Sequence, residues 1–166
     1  MSITLDKFLP ERKGFVIPCP LKPPATYRDI IRYAKRLSGI ICAKEGVPPP
    51  TDVLIRASVK PYKYSNFRWF LSKPVGGIYD YVNERIVLAK WVVDYYLNLP
   101  EHKKYEFFCD YLVEIIAHET KHHIQHKTLR EAILKEMART SELEEEAYPY
   151  GKMFKRECFK RCIYKR

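Results

Sequence analysis

The segment EIIAHETKHHIQH, residues 114–126, decides how the rest of the chain is read. It carries four of the five histidines of a 166-residue protein, and His118-Glu119-x-x-His122 lies at its centre. Ahead of it runs YLVEIIA, whose apolar residues recur at helical spacing, so the histidines are expected on a helix with one buried face. In a helix, residues four apart project from the same side, one turn apart, so His118 and His122 point the same way. Two imidazoles so placed hold a single Zn²⁺ at about 2.0–2.1 Å each. Glu119, one position on, is set to take a proton from an attacking water instead of binding the ion.

Chance produces this spacing about 0.012 times per shuffled chain of the same composition, so the motif carries information without being decisive. Lys121 is charged where such motifs are usually uncharged, and is expected to lie off the ligand face. A catalytic zinc takes three protein ligands and keeps one position open. His126 cannot be the third, because eight residues of helix separate it from His118 by about 12 Å. The longer pattern HExxHxxGxxH fails at Gln125 and Thr128, which excludes a metzincin. No aspartate follows Asp110 and no histidine follows His126, so a downstream ligand is a glutamate or one of Cys158 and Cys162. SELEEEAYPYG offers Glu142, Glu144, Glu145 and Glu146, far enough on for a second helix to return beside the first; the bland alternative is a solvated acidic face.

Composition fits one α+β domain with a real core, 46 % hydrophobic and rich in Tyr and Phe. One glutamine and three asparagines against abundant charge point to a thermophilic source. The start MSITLDKFLPERKG lacks the apolar stretch of a signal peptide, and no run is long enough to span a bilayer, so an intracellular, cytoplasmic protein without a membrane partner is expected. Five cysteines without a CxxC pair then read as reduced, buried thiols, with disulfides the alternative in a hyperthermophile. Residues 1–25 form a Pro-punctuated extended arm and 26–166 the domain. Thr26 caps a helix to about Ala43, with Ile30, Ile31, Ala34, Leu37 and Ile41 buried. Strands follow at 53–62 and 67–71, then a hairpin turning at Asn83-Glu84 with 86–88 returning, a mostly antiparallel sheet. WVVDYYLNL is a short helix stopped by Pro100. A long one covers 101–127 with Phe108, Tyr111, Leu112, Ile115 and Ile116 inward, and the C-terminal helices break near Pro149-Tyr150-Gly151.

HETKH followed by EEEA (144–147) resembles the gluzincins, zinc metallopeptidases whose third ligand is a glutamate on a following helix, and the chain's size is similar to the minigluzincins. The resemblance covers roughly 75–150 and implies a zincin-like fold, with Zn²⁺ held by His118, His122 and Glu144. Tyr148 stands where those enzymes often have Asp, which leaves Glu145 and Glu146 as alternatives to Glu144. The implied activity is hydrolysis of a peptide or protein substrate with Glu119 activating the water. GGIYDYVNERIVLA looks like the zincin strand pair, whose main chain, here at 86–88, would hold the substrate as an added strand. Such enzymes steady the oxyanion with a Tyr or His, for which Tyr148, Tyr150, His123 and His126 are candidates; Gln125 or His126, one turn beyond His122, reads as support for it or, equally, as simple helix-end polarity.

The net charge of +10 is uneven: residues 1–100 carry 16 basic and 8 acidic residues. KPYKYSNFRWFLSK (60–73) interleaves cations with aromatics, the chemistry of a single-stranded nucleic-acid platform, although ordinary sheet residues give the same pattern. A basic interaction protein on a zincin-like scaffold, with structural or absent zinc, is therefore the rival to the peptidase. Cys19, ahead of the catalytic region, could cap the zinc or be an ordinary thiol.

Overall fold

Thr26 starts the first helix as its sequence position predicts. Its side-chain oxygen accepts the Asp29 N–H at 3.1 Å and caps α1, Tyr27–Lys44, in a computed structural model that describes residues 17–59 and 76–164. Ile30, Ala34, Leu37 and Ile41 of α1 are buried, and Ile31 is partly so. Three strands follow: β1, Asp52–Arg56; β2, Gly77–Asp80; and β3, Arg85–Ala89. Their order is β1-β3-β2, with β3 parallel to β1 and antiparallel to β2.

The sheet is thus mixed, where a mostly antiparallel one was expected, and β1 stops at Arg56. A strand's partner is set by the connection as well as by its own pattern, and that connection passes through 60–75, outside the described residues. The expected strand at 67–71, the basic aromatic segment 60–73 and the first 16 residues of the arm also lie outside them. The hairpin forms where predicted. Asp80 builds it: its buried carboxylate accepts the N–H groups of Val82 and Asn83, the Asn83 amide and the Arg85 guanidinium. Burial alone would raise the Asp80 pKa, but these donors hold it below the usual carboxylate range.

The helices α2, Lys90–Leu97, and α3, Glu101–Phe107, lead through a π-helical turn, Phe108–Val113, into α4, Glu114–Thr128. Phe108, Leu112 and Ile116 are buried as predicted, and Ile115 is partly buried. Tyr111 is not; it is half exposed. The π turn inserts an extra residue into the helical period and rotates Tyr111 off the inner face. The short α5, Glu131–Thr140, meets α6, Glu142–Cys158, at Ser141, whose left-handed backbone lets one helix end and the next begin at a single residue. A final π-helical turn covers Phe159–Ile163.

The expected break at Pro149-Tyr150-Gly151 is absent, because α6 runs unbroken through all three. Pro149 removes one N–H from the ladder, and the carbonyl it would have met belongs to exposed Glu145, where water can replace it. Gly151 serves close packing and does not end the helix. A Cβ there would lie 2.9 Å from the Glu114 carbonyl oxygen and 3.2 Å from the His118 Cβ. Gly39 in α1 has nothing within 4 Å. The two glycines should therefore respond oppositely to alanine. Gly39→Ala should stabilise by up to about 1 kcal/mol, and Gly151→Ala should destabilise by about 1–2 kcal/mol, as overpacking outweighs the gain in helix propensity. Paired thermal melts check this, and a stabilised Gly151→Ala would mean that α4 and α6 pack less closely.

The cysteines correct the expectation of reduced thiols. Cys19 is bonded to Cys162 and Cys109 to Cys158, each pair with Cα atoms 5.4 Å apart, and Cys42 is free and buried. Sequence spacing gives no hint, because the partners lie 143 and 49 residues apart and only the tertiary fold joins them. Such bonds belong to oxidising compartments or to hyperthermophile proteins. The arm is also clipped by tyrosines: Tyr33, Tyr105 and Tyr96 donate hydroxyls to the carbonyls of Pro18, Pro20 and Pro24. Among the described residues, no helix is long and apolar enough to cross a membrane.

Candidate metal centre

Helix α4 is the middle layer of the molecule. The sheet covers one side, with β2 and β3 against it, while α6 and α1 pack on others. Gly77 lets β2 come this close, since a Cβ there would fall 2.6 Å from Ile115 Cγ2. The consequence is burial: His118, Glu119 and His122 are only 5–8 % exposed. Buried polar groups need partners. Among the described residues, every buried side-chain nitrogen and oxygen has one.

The imidazoles of His118 and His122 meet edge to face, with ring centroids 4.9 Å apart. Glu144, in the first turn of α6, closes the group. One carboxylate oxygen lies 2.9 Å from His118 Nε2 and the other 2.9 Å from His122 Nε2. Glu144 thus bridges the two imidazoles, one oxygen to each, at distances shorter than the about 3.3 Å that separates two atoms bound to one tetrahedral zinc. Of the four acidic candidates, Glu144 reaches both histidines, Glu142 and Glu145 are exposed, and Glu146 bonds to Gln125. Cys158 and Cys162 are both half-cystines, and Cys19 is bonded to Cys162, so none of the three offers a thiolate.

Glu119 sits apart from this bridge. Its donor atom and those of His118 and His122 fall within 4.8 Å of one another, so proximity alone would admit it as a ligand. Its oxygen is, however, 3.9 Å from His118 Nε2, and its carboxylate accepts the Tyr79 main-chain N–H of β2. Glu144 is the closer donor. Burial raises the Glu119 pKa above the ordinary carboxylate value, although the neighbouring histidines partly oppose it. For Glu144 burial acts the same way, but hydrogen bonds to His118 and His122 win and hold it well below that value. Burial lowers His122, yet the Glu144 contact outweighs it and pushes the imidazole up to about 9.

The hydrogen-bond pattern around His122 fixes its chemistry. Gln125 Nε2 lies 3.0 Å from the Leu143 carbonyl oxygen, which only accepts, so this end of the amide must donate. The other end, Oε1, then accepts from His122 Nδ1 at 2.9 Å. A neutral His122 with its proton on Nδ1 has a lone pair on Nε2, aimed at a Glu144 oxygen. Acceptor therefore faces acceptor at 2.9 Å, and only a cation between them, proton or metal, makes the contact favourable.

Beyond this cluster, the second half of α4 docks onto the hairpin. Tyr79 places its hydroxyl 2.8 Å from His123 Nδ1 and 2.9 Å from His126 Nδ1, and His123 Nε2 meets the Pro48 carbonyl at 2.8 Å. Because Pro48 accepts, His123 carries its proton on Nε2 and Tyr79 donates to His123. Burial lowers the His123 pKa, which keeps it neutral in that role. Tyr150 turns away to Glu45 and lies under the Lys121 ammonium, 5.0 Å from the ring centroid, so Lys121 is off the ligand face. Of the four oxyanion candidates, Tyr148 packs edge-on against His118, centroids 4.9 Å apart. The sequence reading missed Tyr79. Its signal was the alternation Gly77-Tyr79-Tyr81, which presents one face of β2 to α4.

The strand position 86–88 needs correction as a substrate rail. Those residues lie in β3, the central strand, and pair with both β1 and β2. Among the described residues, β1 and β2 are both edge strands, and β2 is the one that packs against α4. Ala89 N–H bonds to Gly76 C=O, so the main chain of Gly77 and Tyr79 points outward, which agrees with the Tyr79 N–H meeting Glu119. Comparison of the chain with protein-family profiles, with curated proteins and with solved structures found no match.

Proposed function

We propose that the chain is a zinc-dependent peptidase of gluzincin type on a zincin-like fold. The observation that carries this reading is the convergence of two buried imidazoles from α4, His118 and His122, on one carboxylate from α6, Glu144. The donor set of two imidazoles and one carboxylate suits zinc and leaves a fourth position open. Bound there, zinc would supply a Lewis acid that polarises the scissile carbonyl.

The chain's own residues perform the remaining steps. Glu119, buried and oriented by the Tyr79 N–H, takes a proton from the attacking water as its oxygen bonds to the carbonyl carbon. The same carboxyl then delivers that proton to the leaving amine as the C–N bond breaks. An extended peptide would align along the outer edge of β2, where Gly77 contributes main-chain groups. The Tyr148 ring borders His118 on the side from which α6 approaches.

Metal content tests the reading directly. Protein purified without added metal should carry about one zinc per chain, and Glu144→Ala should lower the zinc affinity by more than about a hundredfold. Zinc retained in Glu144→Ala would remove Glu144 from the ligand set. A wild-type protein that refuses zinc would overturn the reading altogether.

A further inference from the structure

We infer that Gln125 is the positioning residue that makes His122 and Glu144 one ligand set, and that it selects Glu144 from the run of glutamates; this rests on the metal reading above. Gln125 is the only glutamine in the chain and is 2 % exposed. Its acceptor end holds His122 Nδ1 at 2.9 Å, which commits the imidazole proton there and turns Nε2 toward the metal position. Its donor end reaches α6 twice, at the Leu143 carbonyl and at the Glu146 carboxylate, both 3.0 Å away.

Those two contacts bracket Glu144. Leu143 precedes it and Glu146 follows within the same turn, so the first turn of α6 is clamped on both sides of the ligand. Helical geometry does the rest. Neighbouring residues diverge by about 100° around the axis, so only one of three consecutive glutamates can face His118 and His122. With Leu143 inward and Glu146 engaged by the amide, that residue is Glu144. Both ends of the amide are in use, so orientation of the imidazole and delivery of the carboxylate depend on one side chain.

The test is zinc affinity, measured by competition with a chromophoric chelator, together with the visible spectrum of the Co²⁺ form. Wild type, Gln125→Leu, Gln125→Glu and Glu146→Ala are compared. Gln125→Leu should weaken zinc about 10–100-fold and shift the Co²⁺ bands, since a supporting hydrogen bond to a ligand imidazole is worth that much. Gln125→Glu keeps an acceptor for His122 Nδ1–H and should recover part of the loss. Glu146→Ala should weaken zinc several-fold by freeing one side of the clamp. If Gln125→Leu does not fold, judged by circular dichroism, the Gln125→Glu and Glu146→Ala affinities decide.

Wild-type zinc binding with Gln125→Leu within about twofold of it would overturn the inference and leave the metal reading standing. Equal losses in Gln125→Leu and Gln125→Glu would overturn the part assigned to the His122 contact. A wild type that binds neither ion overturns the metal reading and the inference with it.

Discussion

Glu119→Gln is expected to keep its metal and lose about 10²–10⁴ of the peptide-hydrolysing rate. Glutamine has nearly the shape of glutamate, and its amide oxygen still accepts the Tyr79 N–H that orients the side chain. It lacks the basicity to take a proton from water. Metal retention follows from the geometry: Glu144 lies 2.9 Å from both histidine nitrogens, while Glu119 stands 3.9 Å from the nearer one. The two readouts therefore separate. Turnover kept in Glu119→Gln would remove it as the base, and zinc lost with it would make Glu119 a ligand. Both are measured on one preparation, by metal analysis and by hydrolysis of a peptide mixture.

Replacing Cys109 and Cys158 together by alanine should cost about 4 kcal/mol, from the chain entropy that a 49-residue closure removes from the unfolded state. For a chain of this length that is a fall in melting temperature of about 10 °C. The bond joins the π turn before α4 to the last residue of α6, the two helices that carry the proposed ligands. Its loss should therefore weaken zinc binding as well as stability. Calorimetry of the variant, beside wild type with and without a dithiol, reads the first effect, and a chelator titration reads the second. An unchanged melting temperature in the variant would mean that these thiols are not joined in solution.

What the sequence made legible was local. Thr26 caps a helix because its side chain and the Asp29 N–H are three residues apart. His118 and His122 converge because helical geometry demands it, and Asn83-Glu84 turns because the flanking residues alternate. The acidic run at 142–146 was found by elimination, since few ligand-type residues follow His126. What stayed hidden depended on contacts between distant segments. The parallel pairing of β1 with β3, the two disulfides and the clamp by Gln125 each join residues that no short-range rule relates. Pro149 and Gly151 misled for the opposite reason. Each is a local helix breaker, yet close packing of α6 on α4 holds Gly151 in the helix, and water at the exposed Glu145 can replace the bond Pro149 removes.

The bond between Cys19 and Cys162 closes the described chain into a covalent ring. A ring tolerates a single cut: cleavage of any one peptide bond between these residues leaves one molecule, its two pieces still joined by sulfur. For a chain proposed to hydrolyse peptides in the company of its own copies, a nick in a surface loop would not shed a fragment, and the helices that assemble the site would remain held together. Loss of material would require either two cuts or a reductant, so the lifetime of the folded protein would be governed by the redox state around it as much as by proteolysis.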